Sequence, residues 1–321
     1  MQSIAVTDLH GNLALYKLLL RIAEMWKISS VFITGDLAPN GPATADGRWG
    51  DETDVVQLQR DFYRRQLRPL LEAFLPDHRH THVYAIMGND DRRVNEPVLA
   101  ELDEALPNFH LMDDRLVVLH ESKQIRSFFS KSVPLLRVAG YPYVPPGASL
   151  LVDWVKYENE ARLAPMNMDP CMDIYEVGIS SVPPPSASTI AGDLADFGAY
   201  LSGCGQDLQD GYDPRRTIHL FHAPPYDTAL DWVAPQGRYA FLRLPNHVGS
   251  SEIRRFIEHQ RPHVVLCGHC HESPVYGDYR AQVNGTWCMN PGSQVSTNVL
   301  SVVQFDVYQP SNMKQFYINA D

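Results

Sequence analysis

The chain has 321 residues, of which 44% are hydrophobic and 20% are charged, close to the average usage of globular proteins. This composition excludes a collagen, a disulfide scaffold and a largely disordered chain, and the length is sufficient to bury a sizeable core. The net charge of −11 argues against an extended surface for long nucleic acids or anionic membranes. It leaves room for a small phosphorylated substrate, because a bound metal would reverse the sign of the charge locally.

Three features bear on where the protein is located. No apolar run approaches the ~20 residues that a membrane helix needs. The first residues, MQSIAVTDLHGN, carry no basic segment before their apolar stretch, so we expect a first strand rather than a signal peptide. The five cysteines are odd in number and irregularly spaced, which fits a reducing cytosol better than a disulfide framework. We therefore expect a cytoplasmic protein without a membrane partner.

Strand-like and helix-like patterns alternate in the first part of the chain. Residues 3–7, 31–34 and 82–87 are β-prone runs, whereas 13–25 and 54–74 carry apolar residues at helical spacing. This alternation predicts an α/β layered core.

Strands dominate the rest of the sequence. We predict them at 109–112, 116–120, 133–140, 217–221, 263–267, 282–283, 286–289, 300–307 and 313–318. A clear helical pattern lies at 251–259, and the acidic pair Asp113-Asp114 is interpreted as a hairpin turn between the first two of these strands. Two sheets packed face to face, with helices outside, would accommodate both halves of the chain.

Two segments are interpreted as insertions into a single domain spanning 1–321. Residues 38–53 are rich in Gly, Pro and Asp and show no period. Residues 142–216 contain helical stretches near 150–163 and 189–201, separated by a break at the proline triplet 183–185. Because long loops within compact folds are usually functional or disordered, we interpret 142–216 as a helical lid or cap.

Polar side chains follow five of the predicted strands. They are Asp8, His10, Asp36, Asn89, His222, His269 and His271. Ligands gather at the carboxyl ends of the strands in α/β sheets, so we expect these side chains to meet at one edge. Mixed carboxylate and imidazole donors suit manganese, iron or zinc, and seven donors exceed what one ion takes unless a carboxylate bridges two ions. Pairs two residues apart, such as His269 and His271, would point to the same side of an extended segment.

In these motifs the sequence resembles the calcineurin-like metallophosphoesterases. The pattern of that family is D-x-H, GD, GNH[DE], a lone H and GHxH. This chain has DLH, GD, GNDD, the H of FHAPPYD and GHCH, in the same order, within residues 8–271. The sequences around the last two motifs are similar to the cytosolic, Icc-like branch. The resemblance covers about 1–141 and 217–307, and it stops at 142–216.

The resemblance implies a four-layer α-β-β-α sandwich that binds two divalent or trivalent ions (manganese, iron, zinc or nickel). One ion would be held by Asp8, His10, Asp36 and His271; the second would be held by Asn89, His222 and His269, with Asp36 as the bridge. The implied reaction is phosphoester hydrolysis by a metal-bridging hydroxide. It implies catalytic roles for Asn89, Asp90, Asp91 and His222.

One position departs from the family pattern. Asp90 replaces the histidine that is thought to contact the phosphate and protonate the leaving group. Asp91 matches the final acid of the motif, which would orient that histidine. Either Asp90 is protonated when substrate binds, or another group replaces it, with Arg92, Arg48 and His247 as candidates. We expect weak activity on poor leaving groups, and a phosphodiester is favoured over a monoester because it presents less charge to Asp90.

Three alternative interpretations remain open. The same fold occurs as a weakly active or inactive metal-binding scaffold for protein interactions. The run Cys267-Gly268-His269-Cys270 contains the C-x-x-C pattern of disulfide oxidoreductases, although no good helix is predicted to begin inside it. Aromatic residues in the insertion and on either side of it could stack on a substrate ring or pack under a lid; they are Tyr141, Tyr143 and Tyr226. The alternating histidines at positions 78, 80 and 82 are interpreted as a solvated loop.

Overall fold

The computed structural model describes residues 1–40, 52–120, 135–146, 153–159, 188–206, 208, 211–233 and 247–320. Most of the predicted insertion 38–53 lies outside these residues, including Arg48. Most of the predicted helix 150–163 and the proline triplet 183–185 also lie outside them.

The strands of the described residues form two mixed sheets. They are β1 (Gln2–Val6), β2 (Ser30–Thr34), β3 (His82–Ile86), β4 (Phe109–Leu111), β5 (Leu116–Val118), β6 (Arg137–Tyr141), β7 (Thr217–Phe221), β8 (Val264–Leu266), β9 (Arg280–Val283), β10 (Thr286–Met289), β11 (Val299–Asp306) and β12 (Gln309–Asn319). The first sheet has the order β12-β11-β1-β2-β3-β4, in which β1 to β4 are parallel. The second has the order β5-β6-β7-β8-β10-β9, with its four central strands parallel and both edge strands antiparallel.

Helices cover the outer faces of the two sheets. They are α1 (Leu13–Met25), α2 (Glu52–Phe62), α3 (Arg68–Phe74), α4 (Glu96–Ala105), α5 (Ile190–Ala195), α6 (Phe197–Gly203), α7 (Ser251–Gln260) and the short α8 (Ser273–Tyr276). The sequence pattern did not predict α4 or α8. A π-helical turn at Tyr63–Leu67 joins α2 to α3. Across the described residues, no helix combines the length and the apolar character needed to cross a bilayer.

Alternate residues of the central strands belong to different hydrophobic cores, which fixes the order of the layers. In β1, Ile4 and Val6 pack with the helices, whereas Ala5 faces the second sheet. Phe32 of β2 lies in the same space between the sheets, stacked 5.4 Å from Tyr84. Strands buried on both faces lie inside a stack of layers, so the predicted four-layer α-β-β-α sandwich is confirmed.

The hairpin predicted at Asp113-Asp114 is wrong. The strands on either side of this pair, β4 and β5, belong to different sheets, and the chain crosses from one sheet to the other between them. Both carboxyl groups are buried here: Asp113 accepts a hydrogen bond from the backbone of Met87 (2.8 Å), and Asp114 accepts one from the hydroxyl of Tyr200 (2.8 Å). Acidic residues are common in turns, but these two satisfy buried donors at the crossing between the sheets.

The helix predicted near 150–163 is also not borne out in its described part, 153–159. Val144 donates a hydrogen bond to the carbonyl of Trp154, and Lys156 donates one to the carbonyl of Val144, so the backbone pairs with the chain after β6 instead of coiling. The Lys156 ammonium is buried 2.6 Å from Asp193 of α5. A helix here would give up this ion pair, and leaving Asp193 as an unpaired buried charge is costly.

A stack of histidines joins the two sheets at the start of β3, where the sequence suggested a solvated loop. His82 is buried; its Nδ1 lies 2.9 Å from Nε2 of His110, and its ring stacks on His120 at 3.8 Å. Burial, followed by the nearby His120, His110 and His80, lowers the pKa of His82 to about 3. Burial also lowers the pKa of His110 to about 4. The folded protein therefore favours the neutral imidazoles.

These low pKa values predict that acid destabilises the fold. The folded pKa of His82 lies below its unfolded value, so stability is lost as pH falls below ~6.5 and the loss continues toward the folded pKa. His82→Phe keeps a flat ring but removes this titration. Between about pH 7.5 and pH 5 we expect it to lose up to about 2 kcal/mol less stability than the wild type.

Chemical denaturation at the two pH values measures this difference. The matched control is His259→Phe, because His259 is an exposed residue near the end of α7. If His82→Phe lost as much stability between the two pH values as the control does, the low pKa of folded His82 would be contradicted.

Candidate metal centre

The polar side chains predicted from the motifs all follow strands whose carboxyl ends meet at one edge of the sandwich. Asp8 and His10 follow β1, Asp36 follows β2, Asn89 follows β3, His222 follows β7, and His269 and His271 follow β8. The first three strands belong to one sheet and the last two to the other. The parallel strands end in register, so their loops leave the sheets at the same level. The structure thus brings all seven side chains together.

One group of donors consists of Asp8, His10, Asp36 and His271, whose ligand atoms lie within 4.8 Å of one another. Nε2 of His271 lies 3.2 Å from Oδ1 of Asp8 and 3.2 Å from Nε2 of His10. Nε2 of His10 lies 3.9 Å from Oδ2 of Asp36. Two carboxylates and two imidazoles at this spacing could hold one metal ion.

A second group surrounds Oδ1 of Asn89. This oxygen lies 2.9 Å from Nε2 of His222 and 2.7 Å from Nδ1 of His269. Nδ1 of His222 lies 2.7 Å from the carbonyl of Thr34; donation to that oxygen leaves Nε2 free to face the group. Oδ1 of Asp36 is 3.5 Å from the same Nε2. Asp36 therefore presents one oxygen to each group, which is the arrangement that a bridging carboxylate requires.

The loops that carry these donors have an unusual backbone. Asp8, His10, Asp36 and His269 all have positive φ, at 52°, 42°, 50° and 65°. Non-glycine residues seldom adopt this conformation, and it concentrates at functional sites. The expectation that the paired ligands alternate along an extended segment is therefore wrong. Tight turns beyond the strand ends, not the two-residue period of a strand, bring the donors together.

Glycines in the motifs make room for the donor side chains. A Cβ atom on Gly88 would lie 2.3 Å from Oδ1 of Asp36, and one on Gly35 would lie 2.2 Å from Nδ1 of His222. Gly35 also has φ of +109°, which side chains rarely tolerate. The glycines of the GD and GND motifs are thus required by close approach to the neighbouring donors.

Two histidines of the centre, His222 and His271, bind protons strongly at the positions where metal ions would carry the positive charge. Burial lowers the pKa of His222, but Asp36 beside it raises that pKa to about 10 overall. Burial also lowers the pKa of His271, but the neighbouring Asp8 raises that pKa to about 9 overall. Burial raises the pKa of Asp36 to about 7. A metal ion binds deprotonated donors, so it would displace the protons on the two imidazoles.

The donor atoms fit a metal. Oδ2 of Asp8 accepts hydrogen bonds from the Thr7 hydroxyl (2.6 Å) and the backbone N–H of His269 (3.1 Å). Its other oxygen, Oδ1, is buried, faces His271 and has no well-aligned hydrogen-bond donor among the described residues. The protonated His271 is the cationic partner of this oxygen, and a metal ion at the donor group would replace that proton as the positive charge beside the buried carboxylate. The side chain of His271 is 38% exposed, so the group can be reached from solvent.

Asp91, predicted among the catalytic residues, lies behind the site. It is fully buried, and its oxygens accept hydrogen bonds from the backbone of Leu37 (2.9 Å), Ala38 (2.8 Å) and Gly88 (2.9 Å) and from the Tyr63 hydroxyl (3.0 Å). These contacts join the segments that follow Asp36 and precede Asn89, and the burial of Asp91 argues against direct contact with a substrate.

Asp90 lies at the mouth of the site, with its side chain 24% exposed. Oδ2 is 3.9 Å from Nδ1 of His10 and accepts a hydrogen bond from Asn40 (3.2 Å), while Oδ1 accepts one from the amide of Asn89 (3.1 Å). The backbone N–H of Asp90 donates to Oδ1 of Asp36 (2.8 Å). A carboxylate therefore occupies the position where the family motif has a histidine.

The other residues that were candidates for substrate contact differ in their exposure to solvent. Arg92 is buried, which argues against direct contact with a substrate, and His247 is 26% exposed with Nδ1 held 2.8 Å from Asp231. Tyr141 and Tyr143 are fully buried, which favours the packing alternative over stacking on a substrate for these two residues, whereas Tyr226 is 39% exposed.

The thiols of the C-x-x-C pattern are buried. Burial raises the pKa of both Cys267 and Cys270 well above the usual range, which keeps them from forming reactive thiolates. This environment disfavours the redox alternative.

Sequence reasoning missed two supporting residues. Asn290 follows β10 and is fully buried; its amide donates to the carbonyls of Gly268 (3.2 Å) and Cys270 (3.1 Å), in the loop that carries His269 and His271. Its place after a strand is the same signal that identified the donors. Trp154 donates a hydrogen bond to the carbonyl of Asp91 (3.1 Å), and no sequence signal marks it.

Comparison with known proteins supports the fold. No protein-family model matches the sequence, and no curated protein matches it. Solved structures do match: the protein TT1561 of Thermus thermophilus is 15% identical, with 100% of this chain and 99% of that protein covered and a TM-score of 0.52. Another crystal structure is 13% identical, with 100% and 99% covered and a TM-score of 0.55.

A more distant match is described as a novel archaeal phosphodiesterase. It is 10% identical, with 99% of this chain and 100% of that protein covered and a TM-score of 0.41. Similarity at that level carries no argument about activity, and the two nearer structures show a shared fold alone.

The crowding at Gly88 predicts the effect of one added methyl group. In Gly88→Ala, the Cβ would displace Oδ1 of Asp36, the oxygen that faces His222, and we expect metal affinity to fall about tenfold or more. Gly203→Ala is the matched control, because nothing lies within 4 Å of a Cβ there. Equilibrium dialysis against Mn²⁺ measures both. Equal metal content in the two variants would contradict the proposed crowding.

Proposed function

We propose that this chain, which has the fold and the ordered motifs of the calcineurin-like metallophosphoesterases, is a metal-dependent phosphoesterase that uses two metal ions. The observation that carries the proposal is the placement of Asp36, whose two oxygens lie 3.9 Å from His10 and 3.5 Å from His222, in separate donor groups. Manganese, iron, zinc or nickel suits the mixed donors. When bound, such ions polarise the phosphoryl group and activate water for attack.

The seven side chains form two donor groups that share Asp36. Asp8, His10 and His271 complete one donor group around Asp36, and Asn89, His222 and His269 complete the other. The amide of Asn89 is neutral, so two carboxylates face the two metal positions. Two divalent ions would leave the centre positive, which attracts a phosphate despite the net charge of the chain. The side chain of His271 is 38% exposed, and we propose that a small phosphorylated substrate reaches the centre from that side.

Asp90 favours a phosphodiester over a monoester. Its carboxylate lies 3.9 Å from His10, at the side of the site that is open to solvent. A negative charge there repels a dianionic monoester more strongly than a monoanionic diester. The residue also takes the place of a histidine that would donate a proton, so the leaving group must depart with less assistance. We therefore propose a phosphodiesterase that prefers good leaving groups.

A metal-binding scaffold with weak or no activity is the alternative. The replacement at Asp90 favours it, because the motif has lost its proton donor while the metal donors remain. Two bound metal ions without turnover of any phosphoester would support the scaffold.

A panel of phosphoesters tests the proposed reaction. We expect Mn²⁺-loaded protein to hydrolyse bis(p-nitrophenyl) phosphate faster than p-nitrophenyl phosphate. Asp36→Asn removes charge from the shared donor and should reduce both rates by more than about a hundredfold. His78→Asn is a control outside the centre, since the ring of His78 stacks on Phe74. Retention of full activity in Asp36→Asn would refute the two-metal proposal.

The substitution Asp90→Asn separates the charge effect from the geometry. Asparagine keeps one side-chain oxygen and replaces the other with an amide nitrogen of similar size, which removes the negative charge. We expect the rate on the monoester to rise relative to the diester, because the dianion loses the stronger repulsion. The ratio of the two kcat/KM values measures this change. An unchanged ratio would show that the Asp90 charge does not select the substrate.

A further inference from the structure

A short stretch of the region 142–216 contacts the loop that carries Asn89. The backbone N–H of Asp153 donates a hydrogen bond to the carbonyl of Asn89 (2.9 Å), and Nε1 of Trp154 donates one to the carbonyl of Asp91 (3.1 Å). The carboxylate of Asp153 accepts a hydrogen bond from the backbone N–H of Arg93 (2.8 Å). Two consecutive residues thus bind three backbone groups of one loop.

The remaining carbonyl in this part of the loop is also bound. Nε2 of Gln59, on α2, donates to the carbonyl of Asp90 (2.7 Å). The carbonyls of residues 89, 90 and 91 therefore all accept hydrogen bonds from other segments of the chain. Buried backbone groups need such partners, and here they come from outside the strand and loop that carry Asn89.

Trp154 is held in a costly conformation. Its φ is +56°, the side chain is 3% exposed, and the guanidinium of Arg93 lies 4.6 Å above its ring. A positive φ at a bulky residue is costly and persists only where the surroundings impose it. Such strain concentrates where the position of a group matters.

The segment that holds Trp154 is itself fixed to the fold at three points. It pairs with Val144 after β6, and the buried Lys156 forms an ion pair with Asp193 of α5 (2.6 Å). Glu158 accepts hydrogen bonds from the backbone of Ser251 (2.8 Å) and Glu252 (3.1 Å), at the start of α7. A rigid support of this kind can transmit a fixed position to the Asn89 loop.

We propose that Asp153 and Trp154 are positioning residues for the second donor group, the one formed by Asn89, His222 and His269; the inference rests on the proposed function. Oδ1 of Asn89 is the point at which the two imidazoles meet, so the position of its loop sets the geometry of that group. The first group has no donor in this loop and contacts it through the shared Asp36, whose Oδ1 accepts a hydrogen bond from the backbone N–H of Asp90 (2.8 Å). Loosening the loop should therefore weaken the second metal position more than the first.

Trp154→Phe isolates the hydrogen bond from the packing. Phenylalanine keeps an aromatic ring in the buried space and loses the N–H donor to Asp91. Titration of the purified full-length protein with Mn²⁺, monitored by calorimetry, should show one site weakened about tenfold or more and the other weakened much less. Trp26→Phe is the matched control: Trp26 packs on Phe316 at the end of α1, and both affinities should stay unchanged.

A second pair of variants tests the neighbouring hydrogen bond, between Asp153 and the same loop. Asp153→Ala removes the acceptor for the Arg93 N–H, whereas Asp153→Asn keeps an acceptor oxygen. We expect Asp153→Ala to weaken the same Mn²⁺ site and Asp153→Asn to restore its affinity. This pair also serves if Trp154→Phe does not fold.

Hydrogen exchange gives a measurement that needs no metal. In metal-free Trp154→Phe, the peptide that contains residues 89–93 should exchange faster than in Trp26→Phe, while the other loops of the centre stay unchanged.

The outcomes distinguish this inference from the proposed function. Two Mn²⁺ sites in the wild type with equal affinities in Trp154→Phe, or with both sites weakened alike, would overturn the positioning role and leave the two-metal proposal intact. Fewer than two Mn²⁺ sites in the wild type would overturn both. A lower melting temperature with unchanged affinities would make Trp154 a packing residue only.

Discussion

The buried carboxylate of Asp91 makes the interactions on which the candidate metal centre depends. It accepts four hydrogen bonds, from the backbone of Leu37, Ala38 and Gly88 and from Tyr63. The first two residues follow Asp36, and Gly88 precedes Asn89. One side chain therefore ties the loop of the shared carboxylate to the loop of the amide ligand. Burying a carboxylate costs several kcal/mol, and these hydrogen bonds offset that cost only in this arrangement of loops.

The centre combines strain with support. Four of its donors have positive φ, and a side chain at either Gly35 or Gly88 would collide with a donor. Such a site stays assembled because the strands beneath it are buried on both faces and cannot shift independently. The donors are thus held near one another before any ion binds, which reduces the reorganisation that metal binding requires.

The region between the two halves of the core also belongs to this support. Its described parts are integrated into the fold: α5 and α6 pack in the main hydrophobic core, and residues 153–159 join β6, α5 and α7 to the Asn89 loop. The interpretation of 142–216 as a lid stays a prediction, because much of that region lies outside the described residues. What the described residues show is a contribution to the back of the centre.

The sequence alone determined the layered α/β fold and predicted the seven polar side chains that meet at one edge of the sandwich. Strand periodicity is a local signal, and each donor stands directly after a strand, so order along the chain predicted a common edge. Tertiary structure decided the rest. Asp113 and Asp114 connect two sheets because β4 and β5 pair with different neighbours. The residues of the connection do not indicate which strands will pair. Trp154 reaches Asp91 across 63 residues, and no local pattern encodes a hydrogen bond over that separation. Donors two positions apart, such as Asp8 and His10, meet in the centre because the backbone turns sharply between them, and only the packed strands hold those turns in place.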